Sequence, residues 1–462
     1  MTTTLVLTDA IADQLVDLAE QPIETGAVLI VSLVQHRTGI RLLGRELHLV
    51  PERAYVRRTP YELEATSAGF VPALQRADEL GAVAIWVHNH PGEDALPLPS
   101  SYDEVVDQKL ADTFRIRTSS DFYGTLIVSP RANADRVAFS GEVHWGQASS
   151  IAIERLWIVG DRLRLIPNFG ASLDHSRELF DRNVRALGGA VQSTLGDLRI
   201  GIVGCGGTGS AVAEQLARIG VRRFVLIDPD TLSLSNTTRV YGSTPALVGQ
   251  KKTEVAASNI QRIAENADCT LLNGRVTDNE VIQELAQCDV VFGCTDDNGG
   301  RLVLSRFSTY LLCPLIDCGV LISSDSQGQV TGIDGRVTVQ TPGNACLICR
   351  SRIDLARAGA ELMPEAERQK LEREGYAPAL GQAEPAVVTF TTSVAAGAVN
   401  ELLERLIGFG PTPRPSEVLY RFHDREISTN SAVPRTGHYC DPTAGKWGVG
   451  LSQPYLDLAW TR

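Results

Sequence analysis

The stretch from Arg199 to Asp228 constrains the fold more than any other. An apolar run, Arg199 to Val203, enters GCGGTGS; a helix-patterned stretch from Ala211 to Ile219 comes next; a second apolar run, Phe224 to Ile227, ends on Asp228. Strand, glycine turn, helix and strand make a βαβ unit, which obliges its two strands to lie parallel with a helix packed across them. Gly204, Gly206 and Gly209 have the spacing of a dinucleotide-binding turn. Small residues there let the backbone approach a phosphate at the helix N-terminus, and the acidic residue after the second strand can hold a ribose hydroxyl. Taken alone the turn does not separate NAD from ATP, so a dinucleotide-binding dehydrogenase stays open as an alternative.

Residues beyond the turn narrow the choice. IDPDTLSLSNTTR is succeeded by VGQKK and then CTDDNGGR, which contribute Asn236, Arg239, Lys252 and Asp296. Cations neutralise a triphosphate and a carboxylate holds magnesium, neither of which hydride transfer requires. From Asp174 onward strands and helices alternate, a strand from Asp289 to Gly293 closes on CTDD, and the charged segment Asp354 to Glu374 reads as an exposed helical insertion. The expectation is a doubly wound, Rossmann-like α/β domain over residues 174–462.

At 462 residues the chain has room for two or three domains. A net charge of −12 argues against a nucleic-acid footprint and favours protein or nucleotide substrates. The first basic residue is Arg37, and Asp9, Asp13 and Asp17 interrupt the early apolar runs. Neither a signal peptide nor a membrane span is expected, and the location expected is the cytoplasm. Nine cysteines, an odd number, suit reduced thiols and a metal cluster better than a disulfide framework.

Residues 1–148 mix helix and strand: an amphipathic stretch with Ile11, Leu15 and Leu18, a β-like run from Ala27 to Val34, and another from Val83 to Val87. This last run ends at VHNHPGEDALPLPSSYD. Two imidazoles one residue apart, His88 and His90, can point the same way, and Asp103 can complete a three-ligand zinc site open to water. Such a site makes hydroxide available near neutral pH and needs a base and an oxyanion donor. The competing reading is a polar loop, and His36, His48 and His144 are read as surface or structural residues. Residues 149–173, with a strand-like stretch from Leu156 to Ile166, read as a connector. Toward the C-terminus, Cys346 and Cys349 in NACLICR and His438 and Cys440 in GHYC make a Cys3His zinc site; the alternative is small buried side chains.

The series Glu24, His88-Asn89-His90-Pro91, Ser100 and Asp103 resembles the JAB/MPN (JAMM) metalloprotease family, with a somewhat longer span between the second histidine and the aspartate. The resemblance implies an α+β domain in which His88, His90 and Asp103 bind zinc. Glu24 would relay the proton from bound water and Ser100 steady a tetrahedral oxyanion. From about residue 174 the chain resembles the ThiF/MoeB and ubiquitin-activating adenylating family. That likeness implies that Gly204, Gly206 and Gly207 line ATP, Asp228 binds ribose, Asn236 and Arg239 contact phosphates, Lys252 neutralises them and Asp296 holds Mg2+. Asp297 stands where the family often has Asn. Arg182 in FDRN resembles an arginine that reaches into the partner subunit's ATP site, implying a homodimer.

The function these resemblances imply is ATP-dependent adenylation of the C-terminal glycine of a ubiquitin-like protein, with zinc-dependent tail processing or deconjugation by the first domain. A conjugating enzyme would be the onward acceptor. Similar fusions resemble components of bacterial ubiquitin-like conjugation operons, some linked to antiphage defence. Two alternatives stand beside it: activation of a sulfur-carrier protein, and a binding scaffold without turnover. The crossover stretch GQAEPAVVTF, where thioester-forming relatives keep a cysteine, has none here.

Overall fold

A computed structural model describes the chain apart from residues 1, 93–95, 133–135, 147–148, 169–177, 364, 374–384, 452–454 and 459–462. It separates into two compact units. The first comprises Met1–Ser172 with Gly448–Gly450, the second Leu173–Trp447 with Leu451–Arg462.

The first unit runs β1 (Thr2–Thr8), α1 (Asp9–Ala19), β2 (Gly26–His36), β3 (Gly39–Leu49), β4 (Tyr55–Arg58), β5 (Leu63–Ala65), α2 (Val71–Glu79) and β6 (Val83–Asn89). It continues with α3 (Ser101–Thr118), β7 (Phe122–Pro130), β8 (Val137–Trp145), β9 (Ser149–Ala152), β10 (Arg155–Val159) and β11 (Leu163–Pro167). Nine strands form one mixed sheet in the order β11-β10-β1-β3-β2-β6-β7-β8-β9. Strand periodicity sorts the side chains onto its two faces. Ala27, Leu29, Val31, Ile85 and Val87 join Ile11, Leu15 and Leu18 of α1 in one core. Val28, Ile30, Ala84 and Trp86 join Leu74 of α2 and Phe114 of α3 in the other. Each fully buried aliphatic side chain contributes about 2 kcal/mol.

The same parity continues to the end of β6. His88 follows Ala84 and Trp86 toward the α2/α3 side, whereas Asn89 follows Ile85 and Val87 toward α1. The segment expected to be a connector, 149–173, instead supplies β9, β10 and β11 to this sheet. β10 pairs in parallel with β1 and β9 antiparallel with β8, so both ends of the sheet are made of that segment.

The second unit begins with α4 (Asp181–Leu187), α5 (Gly189–Asp197), β12 (Arg199–Val203), α6 (Gly207–Arg218), β13 (Arg223–Ile227), α7 (Lys252–Ile263), β14 (Asp268–Leu272) and α8 (Asn279–Leu285). It continues with β15 (Val290–Gly293), α9 (Asn298–Tyr310), β16 (Leu315–Ser324), β17 (Val330–Gln340), α10 (Leu355–Leu362), α11 (Glu365–Arg373), α12 (Val388–Ile407), β18 (Glu417–Arg421) and β19 (Glu426–Asn430). The eight-stranded order is β14-β13-β12-β15-β16-β17-β18-β19. Strands β12 to β16 are parallel, and β17 to β19 extend the sheet antiparallel. Consecutive strands step outward on opposite sides of β12, a topological switch point where open α/β sheets bind ligands beyond the strand C-termini. The charged segment expected to be a single exposed insertion is two helices, and α10 buries Ala358 and Ala360. No helix of the described residues is long and apolar enough to cross a membrane.

Candidate functional site

At the switch point of the second unit, β12 turns through Gly204 (φ +92°), where any side chain would be strained. A Cβ on Gly209 would fall 1.8 Å from the Gly204 carbonyl oxygen, so α6 can approach the turn this closely only with glycine there. Asp228, at the end of β13, shapes the same turn: its carboxylate accepts from the Cys205 N–H (2.7 Å) and the Asp230 N–H (2.9 Å). Burial pushes Asp228 above the ordinary carboxylate range, opposed by Lys252 and those amides. Lys252, the first residue of α7, sets its ammonium 2.7 Å from Asp230 and 3.8 Å from Asp228.

Above this turn lies a cavity of about 320 Å³ lined by Gly204, Gly206, Gly207, Asp228, Arg239, Lys252 and Asp296, among others. These residues come from well-separated stretches of sequence. Their charges suit a nucleotide triphosphate: an open helix N-terminus, the cations Arg239 and Lys252, and the exposed carboxylate of Asp296. One residue expected to contact phosphates is not brought to this wall. Asn236 caps its own 3-10 turn, its side-chain oxygen accepting from the Ser233 N–H at 3.2 Å, and it is not among the residues that line the cavity. Arg182, expected to serve a partner's site and not its own, is exposed on α4. Asp297 caps α9 by accepting from the Gly300 N–H at 2.7 Å.

Sequence reasoning missed Arg301, which also lines the cavity. It lies one turn into α9, with Nε 3.5 Å from the buried carboxylate of Asp317. The signal was present in CTDDNGGR, since Arg301 stands about one helical turn beyond the capping Asp297. Cys294 lines the cavity too, but its hydrogen bond with Cys318 and then burial push it well above the ordinary thiol range, which suppresses the thiolate. Cys205 is driven the same way by burial.

Cys346, Cys349, His438 and Cys440 bring one ligand atom each within 4.8 Å of one another. Cys349 and Cys440 sulfurs are 3.7 Å apart, and His438 Nδ1 lies 3.5 Å from Cys346 Sγ and 3.3 Å from Cys440 Sγ. Tetrahedral ligands at zinc bond lengths would stand about 3.8 Å apart for two sulfurs and about 3.5 Å for sulfur and nitrogen, so this donor set fits zinc. The Cys346 thiol is drawn below the ordinary thiol range, first because Cys440 donates to it, against the effect of burial. Of the crossover GQAEPAVVTF, residues 381–384 lie outside the described residues.

In the first unit, His88, His90 and Asp103 converge in the same manner. The two Nε2 atoms are 3.2 Å apart, and each is 3.3 Å from a different oxygen of Asp103. Tetrahedral nitrogen and oxygen ligands of zinc would be about 3.4 Å apart, so these residues also fit the metal, with three donors rather than four. Asp103 is fixed by a reciprocal cap at the start of α3: its carboxylate accepts from the Ser100 N–H (2.7 Å), and the Ser100 hydroxyl accepts from the Asp103 N–H (3.2 Å). Burial opposes ionisation of Asp103, but the hydrogen bonds with His88 and His90 outweigh it and hold the carboxyl far below its usual range.

Glu24 completes the constellation. β2 pairs with β6 so that Gly26 is opposite His88, and Glu24 lies two residues before that pair, near enough for His88, His90 and Asp103 to act on its charge. Burial pushes the Glu24 carboxyl up, and the nearby His88 and His90 partly offset this. Beside these residues a cavity of about 430 Å³ is lined by His88, Asp103, Trp86, Leu98, Ile127 and Asp107, among others.

The family model described as the ThiF family matches residues 180–438, more than half of the chain. The chain belongs to the ThiF family. Curated relatives include the molybdopterin-synthase adenylyltransferase of Escherichia coli (strain K12), 35% identical over 164 residues that make up 35% of this chain and 62% of the relative. The ubiquitin-like modifier-activating enzyme 5 of Oryza sativa subsp. japonica is 29% identical over 235 residues, 46% of this chain and 49% of that one. The chain spans less than two thirds of the length of these relatives. Among solved structures, the crystal structure of E. coli MccB with ATP covers 59% of this chain and 75% of its own, at 18% identity and a TM-score of 0.43.

Proposed function

We propose that the second unit adenylates the C-terminal carboxylate of a small carrier protein of the ubiquitin-like or sulfur-carrier kind. The observation that carries this is the cavity at the switch point of a ThiF-family chain, where Gly206, Gly207, Asp228, Arg239, Lys252 and Asp296 meet. A carboxylate oxygen of the terminal glycine attacks the α-phosphorus of ATP. The bond from that phosphorus to the bridging oxygen breaks, and pyrophosphate leaves with the electron pair. Glycine amides at the start of α6 hold phosphate oxygens, Asp228 accepts from the ribose, and Arg239 and Lys252 neutralise the charge that gathers on the leaving group. Asp296 would hold magnesium, whose contribution is further charge on the phosphates.

Catalysis of this kind is positioning plus neutralisation. ATP–pyrophosphate exchange with a small ubiquitin-like protein ending in Gly-Gly is the test. Exchange that requires both the carrier and Asp296 supports the reading, and exchange without the carrier, or undiminished in Asp296→Ala, refutes it. Arg182 would complete the site of a second copy. Mixing Arg182→Ala chains with Asp296→Ala chains should then restore part of the exchange that each lacks.

For the first unit we propose hydrolysis at the carrier's tail, as expected of a JAB/MPN-type domain. The fit of His88, His90 and Asp103 to a three-ligand zinc site, with Glu24 adjacent, supports it. Lewis acidity and acidification of water are the chemistry zinc supplies there. Glu24 takes a proton from the attacking water and delivers it to the leaving amine, a task suited to a carboxyl raised by burial. The Ser100 hydroxyl, whose oxygen already accepts from Asp103, still has its proton to donate to a developing oxyanion. A carrier fused through Gly-Gly to a fluorescent peptide should be cut by the native chain and not by Asp103→Ala. Equal cleavage by both would dismiss the hydrolase.

No cysteine occurs between Cys349 and Cys440, which favours release of the adenylate to an external acceptor. Transfer to a conjugating-enzyme cysteine separates the ubiquitin-like reading from the sulfur-carrier one, in which the carboxylate becomes a thiocarboxylate.

A further inference from the structure

The residue between the two histidines is fully buried, and it touches neither zinc donor through its side chain. Asn89 has no exposed surface. Strand parity turns its amide away from His88 and His90 toward the chain that leads out of α1. There its side-chain oxygen accepts from the Thr25 N–H at 2.7 Å, and its Nδ2 donates to the Gln21 carbonyl at 3.0 Å. Its own N–H donates to the Thr25 carbonyl at 3.3 Å. Asn89 therefore holds both ends of Thr25 and spans the segment containing Glu24.

The opposite side of that segment is held as well. The Glu24 N–H donates to the Thr59 carbonyl at 2.9 Å, and the Glu24 carbonyl accepts from Arg58 Nε at 3.0 Å. A second nitrogen of Arg58 donates to the Thr25 hydroxyl. All four backbone polar groups of Glu24 and Thr25 are thus bonded. In a segment with neither helix nor strand ladder, that fixes where the Glu24 side chain starts.

We propose that Asn89, assisted by Arg58, is the positioning residue that ties the Glu24 carboxylate to the His88/His90/Asp103 centre. One side chain on the metal-bearing strand sets the distance between the base and the zinc donors. The inference rests on the hydrolase reading of this unit. A base displaced by about an ångström loses rate without losing substrate binding, on the order of 100-fold at most.

The test is a double-mutant cycle on the full-length, zinc-loaded chain with the Gly-Gly fluorescent fusion as substrate. Asn89→Ala should lower kcat about 10- to 100-fold with KM and zinc content unchanged. On the Glu24→Gln background the same substitution should lower the residual single-turnover rate no further, because residues acting as one unit are not additive. Amide exchange at Thr25 should rise in Asn89→Ala, a readout independent of turnover. Arg58→Met, on the less buried side of the clamp, repeats the cycle without a cavity in the sheet. If Glu24→Gln cleaves as the native chain does, the hydrolase reading fails and takes this inference with it. If Glu24→Gln is dead but both clamp variants keep native kcat, or shed zinc, the hydrolase reading survives and the positioning role is overturned.

Discussion

The two clusters of metal-donor side chains differ in number and in surroundings, and the difference is that between a donor set that can close around a metal and one that leaves a position open. Cys346, Cys349, His438 and Cys440 supply four donors, enough to close a tetrahedron. His88, His90 and Asp103 supply three, leave a position for water, and stand beside a buried carboxylate and a cavity. Their anchorage differs accordingly. The chain leaving Cys349 is tied down by Arg350, 3.7 Å from Glu417, and by Arg352, 2.6 Å from the same carboxylate. Asp103 is held by the cap at the start of an otherwise largely exposed helix and by its contacts with His88 and His90.

Breaking the four-donor set should have the largest effect on stability. Cys440→Ser is expected to destabilise the second unit by about 4 kcal/mol or more, as loss of a structural metal does, and to lower zinc from two per chain to one. Thermal melts with parallel metal analysis check both. Next comes the anchor: Glu417→Ala leaves Arg350 and Arg352 without their buried partner, at about 3 kcal/mol.

The native chain should show the same anchor in its pH dependence. Glu417 is held at about 2: burial opposes ionisation, but hydrogen bonds from Arg352, Asn430 and Thr338 prevail. A depressed carboxyl stabilises above its unfolded value and less as protons bind the unfolded chain more readily. Stability from this group should therefore be complete above pH ~5 and be lost as pH falls toward ~2, which acid titration of the Tm follows.

Asp103→Ala sharpens the contrast from the other side. It should remove the second zinc and all hydrolysis, and, compared in zinc-free protein, cost only about 1 kcal/mol, the value of the lost cap. The smallest effect is expected at Glu24. Its carboxyl is raised, so in zinc-free protein its ionisation opposes folding as pH rises through the shifted value. Glu24→Gln should then leave the Tm at pH 7 equal to or slightly above that of the native chain, although hydrolysis is lost. A lower Tm would show that the ionised carboxylate is a net stabiliser.

Much of the molecule was legible in the sequence because local pattern carried it. The glycine turn between two apolar runs determined β12, α6 and β13, and residue chemistry alone brought together cysteines and a histidine 92 positions apart. The two imidazoles of His-x-His converge because alternation along an extended segment puts both on one face. What stayed hidden was set by partners distant in sequence. Strands β9, β10 and β11 looked like a linker, since nothing local reveals that β1 and β8 leave edges for them. Asn236 carried a plausible phosphate-binding identity, yet its side chain satisfies a nearer amide, the usual competition at a short capped turn. Asn89 was visible only as the spacer of a motif; its burial and its grip on Thr25 depend on the face that α1 covers.

The proposed adenylation and hydrolysis would be two separable chemistries on one chain. The most direct measurement assays pyrophosphate exchange and tail cleavage side by side in the native chain, Asp103→Ala and Asp296→Ala, with the same Gly-Gly carrier, free for exchange and fused to the fluorescent peptide for cleavage. The expected result is a crossover: Asp103→Ala keeps exchange and loses cleavage, and Asp296→Ala does the reverse. Loss of both activities in either folded variant, or loss of neither, would contradict it.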